Sequence, residues 1–309
     1  MQLAVATLDE TETTLSGALE LGASALSLAE AGRAALLSAS FEAEALLLGR
    51  LQREDTLRGR SPASFGASPL RRLTTGTEAQ LCGPVLYHAL ALPRVDALFP
   101  DASPRTLLNR NLRAILRGYT AAGVPLRYFG TEVLALLGRP VALVGYDQSD
   151  SGAVLIEVLI GLRAPCVVRS ALKREPAAAL YEVLRSEPAP SDLLGRAVSG
   201  IVERLDATLD DVAGALPAGR PWSEPAWQGT PSGVEIPLGV VEASLAPRVR
   251  FSGDLLVSSA ALRRVEQAAQ AARDAGTPLS PEVLAPLQGA PLDGARPADL
   301  LRALELAIG

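Results

Sequence analysis

The sequence predicts an α/β protein: a mixed central sheet flanked by helices, followed by a small α+β accessory domain at the C-terminus. Three observations lead there. Residues 133–137, 141–146 and 153–162 are successive apolar runs, separated by the turn Gly138-Arg139-Pro140 and a polar loop over 147–152. Runs with no polar alternation need cover on both faces, as central strands do. Residues 104–123 carry Leu107, Leu108, Leu112, Ile115 and Leu116 on one helical stripe, with Arg105, Arg110, Arg113 and Arg117 elsewhere. The last third of the chain then reads as short strands followed by one long helix and two short ones.

Taken in order, residues 3–7 suit a strand. The acidic Asp9-Glu10-Thr11-Glu12 suits the N-terminus of a helix over 14–32, where carboxylates meet the positive end of the dipole. Residues 34–38 and 45–48 read as two strands split by Phe41-Glu42-Ala43, and 53–69 as a loop. Residues 85–92 read as another strand, and Gly123 stands where a helix C-cap is wanted. Helices are expected over 171–186 and 191–216, the second capped by Ser191-Asp192. Residues 217–233, rich in proline and glycine and containing Trp222 and Trp227, suit a linker or covering loop. Strands at 234–238, 240–244 and 249–252, a helix at 258–275 and short helices at 281–288 and 297–308 complete the chain. The expected units are 1–216, the 217–233 linker, and 234–309.

Composition narrows the function classes. The 309 residues are 48% hydrophobic but 4% aromatic, so Leu, Ala and Val must fill the core. A formal charge of -5 and the lack of a basic tract give no general attraction for nucleic acid. No apolar run approaches the roughly 18 residues of a membrane span, and the N-terminus lacks a signal peptide's basic and apolar regions. Cys82 and Cys166 suit a reducing compartment, and His88 without a cysteine cluster does not suggest zinc. The expectation is a cytoplasmic protein with no membrane, nucleic-acid or metal partner.

A family resemblance attaches to specific residues. Gly130-Thr131-Glu132-Val133-Leu134, Gly138-Arg139-Pro140-Val141 and Leu155-Ile156-Glu157-Val158-Leu159 follow one another as G-R-N-D-L-x-V, G-x-K-[IV]-x-G-[ST]-A and H-H-G-T-L-L do in the lipoate–protein ligase A family. That family lies within the biotin/lipoate ligase superfamily. Residues 70–79, Leu-Arg-Arg-Leu-Thr-Thr-Gly-Thr-Glu-Ala, resemble its R-R-x-[ST]-G-G-G-[AT]-V-x-H motif. Gly253-Asp254-Leu255-Leu256 is similar to a turn in its accessory domain. In element order the resemblance spans nearly the whole chain, whereas few motif residues are identical.

The resemblance implies a ligase fold and an activity that joins lipoate to ATP as an acyl adenylate, then passes the acyl group to a lipoyl-type carrier domain. It also implies site positions. Arg71 and Arg72 match the paired arginines, Thr75, Gly76 and Thr77 the glycine-rich loop, Glu132 an aspartate, and Gly138 and Arg139 the turn before the catalytic lysine. Pro140 stands at that lysine's position, and proline has neither charge nor N–H to stabilise a developing anion. Leu81, Leu155 and Ile156 stand at the family's histidines.

Other chemistry is less well supported by the residues. Lys173 could supply an ammonium or simply be a solvated helix residue. Arg71 and Arg72 suit an anion contact or an exposed loop pair. Cys82 and His88 would lie about 20 Å apart on one strand, at about 3.3 Å per residue, and Cys166 suits a buried small hydrophobe. Asp147, Gln148 and Asp150 suit a solvated turn better than a cation site. The tryptophans could anchor a partner or pin their own loop. Together these features predict a ligase-like protein with a substituted active site, serving as a non-catalytic or weakly active binding module for a lipoyl-type carrier or a related enzyme. The alternative is an active ligase or acyltransferase with a rearranged site; ATP or a lipoyl adenylate would be bound only if activity is retained.

Overall fold

The three apolar runs form antiparallel neighbours. In the computed structural model they are β6 (Val133–Leu136), β7 (Arg139–Gln148) and β8 (Val154–Gly161), with Val133 opposite Leu143 and Ala142 opposite Ile160. Every residue of β8 is buried, as expected of a strand covered on both faces. The structure describes residues 2–9, 13–54, 69–168, 176–205, 208–212, 216, 232–290 and 292–308.

The remaining strands of this sheet are β1 (Gln2–Leu8), β2 (Ala34–Leu48), β3 (Leu70–Arg71), β4 (Ala79–Leu92), β5 (Arg127–Tyr128) and β9 (Thr208–Asp211). Their order is β5-β6-β7-β8-β4-β2-β1-β9, with β3 also on β2. β1 is parallel to β2 and to β9, while β2, β4, β8, β7, β6 and β5 alternate in direction, so the sheet is mixed.

Helix α1 (Leu15–Glu30) crosses from β1 to β2 and covers one face, its Ala18, Leu21, Ala25 and Leu28 meeting Leu37, Tyr87, Leu155 and Leu159. Thr14 caps its start by accepting from Gly17 N. At its end Gly32 adopts φ 87°, and Arg33 N donates to Leu28 O at 2.9 Å, closing the terminus in a Schellman turn.

The opposite face is covered by α2 (Leu107–Ala121), preceded by the 3₁₀ turn Pro104–Thr106, and by α4 (Pro190–Leu205). Gly123 closes α2 in the same way as Gly32 closes α1, with Val124 N on Tyr119 O at 2.7 Å. The two helices approach closely because Gly118 has no side chain; a Cβ there would collide with Ile201 and the Ala197 carbonyl.

Two expectations fail here. Residues 34–48 are one strand, not two, because β4 supplies a ladder partner at every position from Ala35 to Leu47, including Phe41 opposite Val85 and Ala43 opposite Gly83. Only the burial of β2 changes near Glu42 and Glu44, where the strand leaves its cover. The helix expected over 191–216 stops at Leu205, and Thr208–Asp211 pairs with β1, whose outer backbone groups would otherwise be a bare edge. Among the described residues of 171–186, α3 spans Leu180–Leu184. Most of the expected linker, with Trp222 and Trp227, lies outside the described residues, as does Lys173.

The C-terminal segment carries the predicted three strands, long helix and two short helical segments, with one unpredicted strand pair added. β10 (Ser232–Ile236), β11 (Gly239–Ser244) and β12 (Arg250–Gly253) form a small antiparallel sheet, and β13 (Leu256–Val257) pairs with β14 (Leu292–Asp293). Helix α5 (Ser259–Asp274) is capped by Ser258; the 3₁₀ segment Pro281–Leu287 and α6 (Pro297–Ile308) follow. Leu255, Leu256 and Val257 share an apolar cluster with Val144 and Tyr146 of β7, so this segment continues the main core. No helix among the described residues is long and apolar enough to cross a membrane.

Candidate functional site

Between the ends of β2 and β4, residues 72–78 are stitched across the sheet. Arg72 N donates to Leu48 O, Arg50 N to Thr74 O, and Thr75 N to Tyr146 O, at 2.8–3.0 Å. Gly49 and Gly76 pack so tightly that a Cβ on Gly49 would strike the Gly76 carbonyl. Gly76 itself has φ 117°, a conformation glycine adopts without strain.

This path turns Arg72 inward, where it is 1% exposed. Nη2 donates to the Thr77 carbonyl at 2.7 Å, while Nε and Nη1 have no hydrogen-bond partner among the described residues. The guanidinium lies against Gly145 in β7, where a Cβ would run into Nη1, Thr74 Oγ1 and the Thr75 carbonyl. Burial lowers the pKa of Arg72, and the nearby Glu157, Tyr87 and Glu78 oppose that shift.

Glu157, in the middle of β8, is fully buried. It accepts hydrogen bonds from Tyr87 OH at 2.6 Å, from Thr74 N at 3.0 Å and from Thr74 Oγ1. Burial and the Glu157 charge both raise the Tyr87 pKa well above its ordinary value. Gly22 of α1 covers the cluster; a Cβ there would press on Tyr87 OH and stand 3.0 Å from Glu157 Oε1. A buried carboxylate therefore sits close to a buried guanidinium with two nitrogens unpartnered among the described residues.

Of the residues proposed from sequence, Arg72, Thr75, Gly76 and Thr77 come together here. Thr75 works structurally: its Oγ1 contacts the Tyr146 and Val257 carbonyls and accepts from Val257 N. Thr77 Oγ1 is buried without a hydrogen-bond partner among the described residues. Arg71 faces elsewhere, its Nη1 donating to the Gly49 and Gln52 carbonyls and so bracing the turn after β2.

The others lie apart. Gly138 (φ 88°) forms the β6–β7 turn, and Arg139 pairs with Glu182 at 2.6 Å. Pro140 is buried at the start of β7, its carbonyl accepting from Ala178 N. Five residues separate it from Gly145, about 16 Å along an extended strand. Glu132 is buried near Tyr128 and Asp293; burial first, and then the Glu132 charge, raises the Asp293 pKa.

Cys166 has no activated setting. Burial pushes the Cys166 thiol up to about 11, and its Sγ points at the Leu159 carbonyl. His88 is six residues from Cys82 on β4 and buried on the α2 face, between Ser38 Oγ at 2.8 Å and Tyr119 OH at 2.7 Å. Asp147 is occupied by Arg50 and by Ser259 N and Oγ, both at 2.8 Å. Among the described residues no three His, Cys, Asp or Glu side chains are placed to hold a metal.

Sequence reasoning missed Glu157, Tyr87, Thr74 and Gly145. Two signals were present: a carboxylate in the middle of an unbroken apolar run, and a glycine inside a strand, which often marks a close backbone approach.

Arg72 is thus a buried cation beside a buried carboxylate, with Nε and Nη1 the guanidinium nitrogens left over among the described residues.

No family model and no curated protein matches the chain. Solved structures do. The structure of P. falciparum LipL1 in complex with lipoate aligns over 99% of this chain and 98% of its own, at 10% identity and a TM-score of 0.58. The Thermoplasma acidophilum bipartite lipoate protein ligase, described with its E2 lipoyl domain, aligns over 68% of this chain and 85% of its own, at 12% identity and a TM-score of 0.49. A lipoate-protein ligase A bound with ATP aligns over 68% and 87%, at 13% identity and a TM-score of 0.48. At these identities the likeness is one of architecture, and the architecture of this chain is that of a lipoate–protein ligase-like fold.

Proposed function

We propose that the chain is a lipoate–protein ligase-like protein whose site does not form an acyl adenylate, and which acts as a binding module for a lipoyl-type carrier domain or a related enzyme. One observation carries this reading: the Glu157 carboxylate, held by Tyr87 and Thr74, occupies the interior beside Arg72. An adenylating site needs net positive charge where the carboxylate and α-phosphate develop theirs. Here a built-in anion offsets the buried cation, and Pro140 adds no charge. The test is to incubate the protein with ATP, lipoate and an apo lipoyl domain, following pyrophosphate release, carrier lipoylation and binding of the domain by calorimetry. Binding without turnover is expected; robust turnover would end this reading.

A second reading, an active ligase or acyltransferase with a rearranged site, rests on the two nitrogens of Arg72 that have no hydrogen-bond partner among the described residues. Its mark would be turnover in the parent protein that Arg72→Ala abolishes while the variant remains folded.

A further inference from the structure

In the small C-terminal sheet, β12 is an edge strand. A bare edge offers its N–H and C=O groups to any extended chain. Here three outward donors are covered. Gly253 N is taken by the Leu51 carbonyl at 2.9 Å, Phe251 N by Glu266 Oε1 at 2.8 Å, and Val249 N by Gln270 Oε1 at 2.8 Å. The first cover is backbone. The other two are side-chain oxygens, four residues apart on α5, each at the end of a rotatable stem.

Between β12, the loop before it and α5 runs an open groove of about 680 Å³. Arg248, Arg250 and Arg263 line it, with Glu266 on the helix side. Arg263 meets Asp150 at 2.9 Å, and Asp274, farther along α5, is held by Gln270 Nε2 at 2.8 Å. Against these three guanidinium groups stand the Glu266 and Asp274 carboxylates of the same lining and the Asp150 partner of Arg263, so Arg248 and Arg250, on the strand side, are the cations offered to an occupant.

We infer that this groove takes an extended acidic segment of a partner protein as an added strand on β12. The segment's backbone carbonyls replace Glu266 and Gln270 on the N–H groups of Phe251 and Val249, and its carboxylates face Arg248 and Arg250. Each hydrogen bond lost at the edge is exchanged for another, so the segment's ordering cost is offset by charge complementarity and by groove surface removed from water. The groove is separate from the Arg72 cluster, and its occupancy does not depend on what that cluster binds.

The experiment titrates the isotope-labelled full chain with a blocked hexapeptide of alternating glutamate and valine. Amide shifts are followed by NMR and affinity by calorimetry. The amides of Val249 and Phe251 are expected to shift. Arg248→Glu, at an exposed loop position, is expected to weaken binding by at least about tenfold at an unchanged melting temperature. The same peptide N-methylated at alternate residues, which removes its pairing edge, and a lysine–valine counterpart are expected not to bind. Undisturbed Val249 and Phe251 amides at millimolar peptide would overturn the inference. So would equal binding of the N-methylated peptide, which would reduce the interaction to charge alone, or an Arg248→Glu variant that binds as tightly as the parent.

Discussion

Nη1 of Arg72 lies where a Cβ on Gly145 would have to stand, so the buried guanidinium rests directly on the backbone of β7. Gly145→Ala would force apart that contact, Thr74 Oγ1 and a Thr75 carbonyl 2.7 Å from the new atom. The Thr75 backbone is tied to Tyr146 and cannot move freely. A loss of roughly 2–3 kcal/mol is expected, the size of a core overpacking defect. Urea unfolding would show it as a lower midpoint at unchanged slope.

Glu157→Ala should cost more, roughly 3–5 kcal/mol, because it leaves Tyr87 OH and both Thr74 donors buried and unmatched and removes the anion nearest the Arg72 charge. Glu157→Gln keeps one acceptor oxygen and should fall between parent and alanine variant. Combined with Tyr87→Phe, it should be non-additive by at least about 0.5 kcal/mol, since the two residues share one hydrogen bond. Denaturation of the four proteins of the cycle measures this.

Asp147 joins the main sheet to the start of α5 through Ser259 N and Oγ, and Arg50 also binds it. Asp147→Ala should loosen that seam, costing roughly 2–4 kcal/mol as a broken buried network does. Hydrogen exchange should speed up first in α5 and β13. Uniform exchange across the chain would contradict a seam-specific role.

Two buried groups give opposite pH dependences. Burial lowers the His88 pKa from 6.5 to about 4. The unfolded chain therefore binds the extra proton first, and this contribution to stability is complete above pH 6.5 and lost as pH falls toward 4. Burial raises the Glu266 pKa from 4.5 to about 7, against the Phe251 N–H and the Arg250 and Arg263 charges. Here the folded chain binds the proton first, so this contribution is present below pH 4.5 and lost as pH rises through 7. Glu266→Gln should keep the Phe251 contact and unmask the His88 slope, a gain of roughly 3 kcal/mol between pH 4 and 6.5. Equal slopes for parent and variant would show that Glu266 titrates normally in the folded chain.

Local sequence determined much of the architecture. Gly32 and Gly123 announce helix ends because only glycine enters φ near 85–87° at no cost, and the structure closes α1 and α2 there. The apolar runs around residues 133–162 and the strand-then-helix order after 232 were equally legible, since each reflects a short-range period or turn. Tertiary structure decided the rest. β9 forms because β1 offers it an edge. β2 is continuous because β4 runs beside it from Ala35 to Leu47. Glu157, Tyr87, Thr74 and Arg72 meet because three strands, a loop and Gly22 of α1 converge on one point. Chain spacing carries no record of such a convergence: those residues lie up to 85 positions apart, and only the sheet's register brings the carboxylate to the guanidinium.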